Sequence, residues 1–194
     1  DAAAREPWRM AVAAALTAEC RRAAIALWPQ RPVAAMLSLA SNPRLTSTTS
    51  SAGRLFDAVS AIAGLCDEQS DEAQAAMLLE AAGGDFADAS YEDDDFVVTQ
   101  ESGLNVLQVT ALLQRLFAMR LEGQTPQAIS MRFHAAFSAG MAKLAAECFP
   151  AGATVCLSGG TFLNRFVAAD LSRRLRQMGY RTYLPSLLPT KATE

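Results

Sequence analysis

The stretch Thr154-Val155-Cys156-Leu157-Ser158-Gly159-Gly160-Thr161-Phe162-Leu163-Asn164-Arg165 is a short apolar run stopped by two glycines and followed by a helical pattern. It reads as a strand that feeds a loop into a helix. Glycines in such a turn take backbone angles that other residues resist, and they leave peptide N–H groups open to an approaching phosphate or ribose. The N-terminus of the following helix adds a partial positive charge pointing the same way. That is the physical case for a nucleotide site. A Gly-Gly pair after a strand also serves as a plain tight turn that lets a helix pack closely, so the motif alone leaves both readings open.

Working outward, the same region completes a βαβ unit: strand Ala153 to Leu157, helix Asn164 to Met178, Gly179 as its C-cap, and strand Tyr180 to Leu184. Such a unit needs parallel strands and a right-handed crossover. A sheet with so few strands leaves its edges bare, so neighbouring strands are expected from outside this chain or from a partner. Upstream, Thr125 as N-cap and Pro126 in the first turn predict a long helix to Cys148, preceded by another from Val106 to Leu121. Phe96 to Thr99 reads as one short strand, and 83–103 as an acidic loop holding Asp85, Asp88, Glu92, Asp93, Asp94 and Asp95. That loop is a solvated charge run or a divalent-metal site.

The N-terminal part is helical throughout. Apolar positions from Trp8 to Ile25 predict a helix from Pro7 to Trp28, and 29–51 reads as a loop-rich connection with one helical turn near Val33 to Leu39. Leu55, Phe56, Val59, Ile62 and Leu65 mark a buried helix face that has Asp57 inside it, and a further helix runs from Asp71 to Ala82. The expected fold is therefore α/β and helix-rich, a single domain over 1–194 with a small, partly parallel sheet.

Composition narrows the function. The 194 residues are 51% hydrophobic and only 7% aromatic, with a net charge of −3. Scattered basic residues and a negative balance argue against binding along a nucleic-acid backbone, and no apolar run approaches the roughly 18 residues of a membrane span. No signal peptide is legible in Asp1 to Arg9, and the chain is expected in the cytoplasm. The absence of an initial Met suggests a domain excised from something longer. Cys20, Cys66, Cys148 and Cys156 lie far apart beside a single histidine, which gives no zinc-ligand spacing; all four are expected as small apolar residues in a reducing compartment.

Five segments in order carry a family resemblance: Arg5-Glu6-Pro7-Trp8-Arg9-Met10, Thr49 to Val59 with Gly53-Arg54-Leu55-Phe56-Asp57, Glu72 with Gln74-Ala75-Ala76, Arg132-Phe133-His134, and Leu157 to Arg165. Together they resemble the C-terminal carbamoyltransferase module of the hydrogenase-maturation protein HypF, across nearly the whole chain. The resemblance implies one lobe, the second, of a two-lobed actin/Hsp70/sugar-kinase-like (ASKHA) fold with a nucleotide between the lobes. It implies ATP or carbamoyl-adenylate as ligand, with Mg in the family, and carbamoyl transfer to a C-terminal cysteine of a HypE-like acceptor for the cyanide ligands of a nickel-iron centre.

Carried over by position, Asp57 is expected to bind the ribose hydroxyls, since a carboxylate accepts two hydrogen bonds at once; the competing reading pairs it with Arg54. Gly53 would let the nucleotide approach the helix start. Glu72 matches a family glutamate, although Asp71 stands for the usual Tyr and Ala73 for the usual Gly, and a plain first-turn acid is the other reading. Ser158, Gly159, Gly160 and Asn164 match the family loop that meets phosphate or adenosine; Asn164 could equally cap its helix. His134 is read as a packed, hydrogen-bonded core histidine. The family's metal-binding histidine pair belongs to the first lobe, and 187–194 differs from the family's Asn-Asp-Gly-Gly turn, so the metal site is incomplete and the isolated chain is expected to be inactive. A separate first lobe or a homo-oligomer would cover the cleft face. The alternative is a non-catalytic helical interaction module derived from the same family.

Overall fold

The computed structural model describes residues 2–86 and 89–184. Asp88 of the acidic stretch and the segment 187–194 lie outside the described residues.

The chain begins with α1 (Ala2–Arg5), α2 (Pro7–Thr17) and α3 (Arg21–Leu27). The single helix expected from Pro7 to Trp28 is two. Glu19 turns into the left-handed region at φ 58°, and the amides of Glu19 and Cys20 donate to the carbonyls of Leu16 and Ala15. This is the hydrogen-bond pattern of a Schellman stop, built on a residue that rarely supplies one. Next come α4 (Val33–Ala40), a full element where one turn was expected, α5 (Ala52–Ile62) and α6 (Gln74–Gly83). Trp8, Val12 and Ala15 of α2 join Val59 and Ile62 of α5, Leu112, Leu116 and Phe133 in the main core. Trp28 closes the α3 end by donating its indole N–H to Asp67 at 2.9 Å.

A 3-10 turn at Asp93–Asp95 leads to β1 (Val97–Glu101) and β2 (Leu104–Gln108), an antiparallel hairpin in which Glu101 faces Leu104. Ser102 and Gly103, at φ 51° and 81°, form its two-residue turn; positive φ at both positions is the pattern that matches hairpin twist. The expected helix from Val106 to Leu121 is thus shorter, with α7 spanning Thr110–Leu121 and its first part spent on β2. The central helix α8 (Pro126–Cys148) is bounded as predicted, with the Thr125 side chain accepting from the Ala128 amide. Gly140 lies in its interior because the hairpin presses there: a Cβ would stand 3.0 Å from the Leu107 methyls.

β3 (Thr154–Cys156) and β4 (Arg181–Tyr183) pair in parallel, joined through a 3-10 turn at Gly160–Leu163 and α9 (Arg165–Gln177). Gly179 ends α9 at φ 88°. Val155, Leu157, Leu171, Leu175 and Tyr180 form a second core cluster, and Met141 and Phe162 pack against both cores. The result is a helix-rich α/β arrangement in which α8 separates the hairpin from the βαβ unit. All four thiols are free; Cys66 is buried and Cys20 half-buried, as suits small apolar residues, whereas Cys148 and Cys156 are exposed. Cys148 closes α8 at the surface, and Cys156 takes an outward position of a strand whose only inward side chain is Val155.

Candidate functional site

The glycine loop stands where β3 runs into α9. Ser158 and Gly160 are exposed, and Gly159 has φ 102°, a conformation that L side chains rarely adopt. Among the described residues nothing lies within 4 Å of the position a Cβ would take there, so they leave the space in front of the loop open. Gly160 starts the 3-10 turn that brings the chain to Asn164.

Asn164 does two things at once. Its Oδ1 accepts from the Val167 amide at 3.0 Å, which makes it the N-cap of α9, and its Nδ2 lies 2.8 Å from His134 Nε2. Glu80 of α6 reaches across to accept from the Arg165 amide at 3.0 Å. The first turn of α9 is therefore already served by a carboxylate and a cap from within the molecule, which is how helix amides without intrahelical partners are ordinarily satisfied. The positive helix end expected to face a phosphate is spoken for, and what is left open is the loop ahead of it.

His134 is fully buried. Its Nδ1 lies 2.8 Å from the Ser130 carbonyl, which can only accept, so Nδ1 carries the proton and Nε2 accepts from Asn164. The Ser130 hydroxyl in turn donates to the Leu79 carbonyl. Phe56, Phe86, Phe133 and Phe166 surround the imidazole edge-on, with centroids 4.9 to 5.9 Å away. Burial among these rings drives the imidazole pKa from 6.5 down to about 4, against the smaller opposing pulls of the Ser130 carbonyl and the Glu80 carboxylate.

Asp57 occupies different ground. It is 4% exposed and ion-paired with Arg54 at 2.7 Å. Burial raises its carboxyl pKa, while Arg54 and a hydrogen bond with Gln69 pull the other way. Gly53 is exposed at the start of α5, and a Cβ there would meet only Ser51 Oγ at 3.6 Å. Neither its backbone nor internal packing demands a glycine. Glu72 is exposed in the turn before α6. That turn passes through Ala73 at φ 64°, a left-handed residue where the family pattern has glycine. The two groups of residues share α5: its Phe56 abuts His134, and the helix contacts the Gly160–Leu163 turn.

Among the acids of 83–103, Asp95 has a structural account. Asp95 is fully buried, grips Arg132 through both oxygens at 2.9 Å, and lies 3.0 Å from Arg115. It also accepts from the Glu92 amide. Among the described residues no group of three or more His, Cys, Asp or Glu side chains could hold a metal ion. Two grooves, of about 510 and 260 Å³, lie elsewhere: one between Tyr91, Phe96, Lys143 and Arg174, the other beside Trp28 and Arg120.

Residues 1–191 match the family model described as carbamoyltransferase, Kae1-like domain, second subdomain. The chain belongs to the HypF carbamoyltransferase family. A carbamoyltransferase HypF homolog of Cupriavidus necator is 38% identical over 95% of the chain, and HypF of Rhizobium leguminosarum bv. viciae is 38% identical over 97%. The chain spans 49% of the first and 24% of the second. A crystal structure of full-length HypF in the phosphate- and nucleotide-bound form superposes on 97% of it with a TM-score of 0.80 at 26% identity, and the chain covers 25% of that protein. Within the HypF frame, sequence reasoning found the glycine loop, Asn164 and His134 as separate motifs. It missed Glu80, Ser130, Phe86 and Phe166, which lie outside the motif segments and gather around His134 and the first turn of α9 only through folding. No helix among the described residues is long and apolar enough to cross a membrane.

Proposed function

We propose that this chain is the nucleotide-binding part of a HypF carbamoyltransferase, one lobe of an ASKHA-type fold whose other lobe supplies the opposite wall. The observation that carries this is the open glycine loop: Gly159 at φ 102° with free space before it, on a chain that resembles a nucleotide-bound HypF. Ser158, Gly159 and Gly160 would meet the phosphate or adenosine, and Gly53 would let the nucleotide lie close to α5. Asp57 fits a ribose less readily, because a ligand hydroxyl must compete with Arg54 for a buried carboxylate. ATP with Mg would be the precursor nucleotide, and carbamoyl-adenylate, when bound, would supply the activated carbonyl with AMP as its leaving group. The protein's own part is to hold the nucleotide so that a cysteine thiolate of a HypE-like acceptor can approach it. Turnover is assigned to the assembled two-lobed site in the cytoplasm.

A second reading, an interaction module without nucleotide, draws support from the internal use of two features read as nucleotide-facing: Arg54 on Asp57 and Glu80 on the first amide of α9. Calorimetric titration with ATP and Mg²⁺ separates the two. Saturable heat that is lost in Gly159→Val, whose side chain cannot adopt that φ without strain, supports the nucleotide site. No heat and no change in melting temperature at excess nucleotide would give the second reading the lead.

A further inference from the structure

The buried hydrogen bonds behind the glycine loop link three helices, with Ser130 contributing its hydroxyl to one bond and its carbonyl to the next. The Ser130 hydroxyl donates to the Leu79 carbonyl of α6, and His134 Nδ1 donates to the Ser130 carbonyl at 2.8 Å. Asn164 Nδ2 donates to His134 Nε2 at 2.8 Å, and the Val167 amide of α9 donates to Asn164 Oδ1 at 3.0 Å. Direction is fixed at each step. The Ser130 carbonyl cannot donate, so Nδ1 must; the Val167 amide cannot accept, so the Asn164 oxygen faces it and the amide nitrogen faces His134. An imidazolium at this point would place an N–H against the Asn164 NH₂, leaving two donors opposed in a site walled by phenylalanines.

We propose that His134, held as the Nδ1–H tautomer, is a positioning residue for the nucleotide loop: it anchors Asn164, and through Asn164 it sets where Ser158–Leu163 enters α9. The proposal rests on the nucleotide reading of that loop, although its structural half stands apart from it. A histidine serving only to fill the core needs neither a particular tautomer nor any link to loop order. His134 also lies behind the loop, with Asn164 between it and the turn, so it acts through another residue and not on a ligand.

The chain has a single histidine, so its imidazole nitrogens give one unambiguous pair of NMR signals. At pH 7 the ¹⁵N spectrum is expected to show Nδ1 protonated and Nε2 bare, the reverse of the tautomer usual in water. An Nε2–H signal, or an exchange average of the two, overturns the assignment. His134→Leu removes the acceptor, His134→Gln restores one near the Nε2 position, and Val12→Ala in the core between α2 and α5 serves as a destabilised control away from the loop.

In His134→Leu the amide signals of Gly159 and Gly160 should broaden or shift, with recovery in His134→Gln and little change in Val12→Ala. ATP affinity, measured on folded protein, should fall about tenfold in His134→Leu and return to within about threefold of the parent in His134→Gln. Loop signals unmoved in His134→Leu, or moved equally in Val12→Ala, refute the positioning role whether or not ATP binds. A parent that does not bind ATP while the loop signals respond as stated counts against the nucleotide reading alone. Should His134→Leu fail to fold, the tautomer and the His134→Gln loop signals carry the decision.

Discussion

The two halves of the candidate site meet solvent differently. At Gly159 the backbone turns through φ 102° into open space, while at Asp57 a carboxylate 4% exposed already holds Arg54. Both were picked out by motif, and motif made them equal. Structure separates them, because a glycine is made available by its own backbone, whereas a buried acid becomes available only if its cation can be exchanged. The loop is also backed by a neutral polar series through His134, while the acid half depends on charge.

Acid should therefore act on the halves in opposite directions, and this is the largest effect expected. The folded His134 has a pKa of about 4 against 6.5 when unfolded, so the unfolded chain takes up its proton first. Its contribution is complete above pH 6.5 and is lost as pH falls toward 4, roughly 3 kcal/mol in all. Asp57 runs the other way: its raised folded pKa means that the folded chain protonates first, so its contribution improves as pH falls through that raised value toward 3.8. Urea midpoints of the parent and of His134→Gln across pH 7 to pH 4 isolate the histidine. The parent should lose markedly more stability than the variant; parallel curves would mean that His134 does not resist protonation.

Sequence alone carried much of the fold and less of this contrast. Thr125-Pro126 gave the start of α8 and the βαβ spacing gave the parallel pair, because caps and periodicity are local properties. The hairpin strand at Leu104–Gln108 was hidden, since its apolar residues run straight into the helical pattern of α7. Ser102-Gly103 was the available signal, a dipeptide suited to a two-residue turn. The break at Glu19 offered no glycine or proline to mark it. At the site, Asn164 and His134 stood out singly, but their hydrogen bond joins residues thirty positions apart in sequence. Glu80 on the first amide of α9 and Arg132 on Asp95 are likewise pairings that only tertiary packing creates.

A smaller effect tests how tightly the acid half is closed. Removing Arg54 leaves the Asp57 carboxylate buried without its cation, whereas Asp57→Asn removes the charge that burial already disfavours. Arg54→Ala is expected to cost about 2 kcal/mol and Asp57→Asn about 1, since Arg54 is one-third exposed and part of the attraction is screened. Urea denaturation at pH 7 reads both. If Asp57→Asn proved the more costly, Asp57 would be held by a stabilising network stronger than its desolvation. It would then be still less free to turn toward a ribose.

The smallest effect concerns the turn that presents Glu72. Ala73 sits at φ 64°, where a Cβ crowds the backbone and glycine does not. Ala73→Gly relieves that strain but also frees the unfolded chain, so the net gain should be about 0.5–1 kcal/mol, a rise of a few degrees in Tm. Nucleotide affinity sharpens the comparison further. If Glu72 shares the site with the glycine loop, easing its turn should change ATP binding along with Tm. If the acid half is closed to ligand, Tm rises and affinity stays where it was. The Arg54 pairing of Asp57 favours the second outcome, with binding carried by Ser158, Gly159 and Gly160 and the acid side of α5 acting as support.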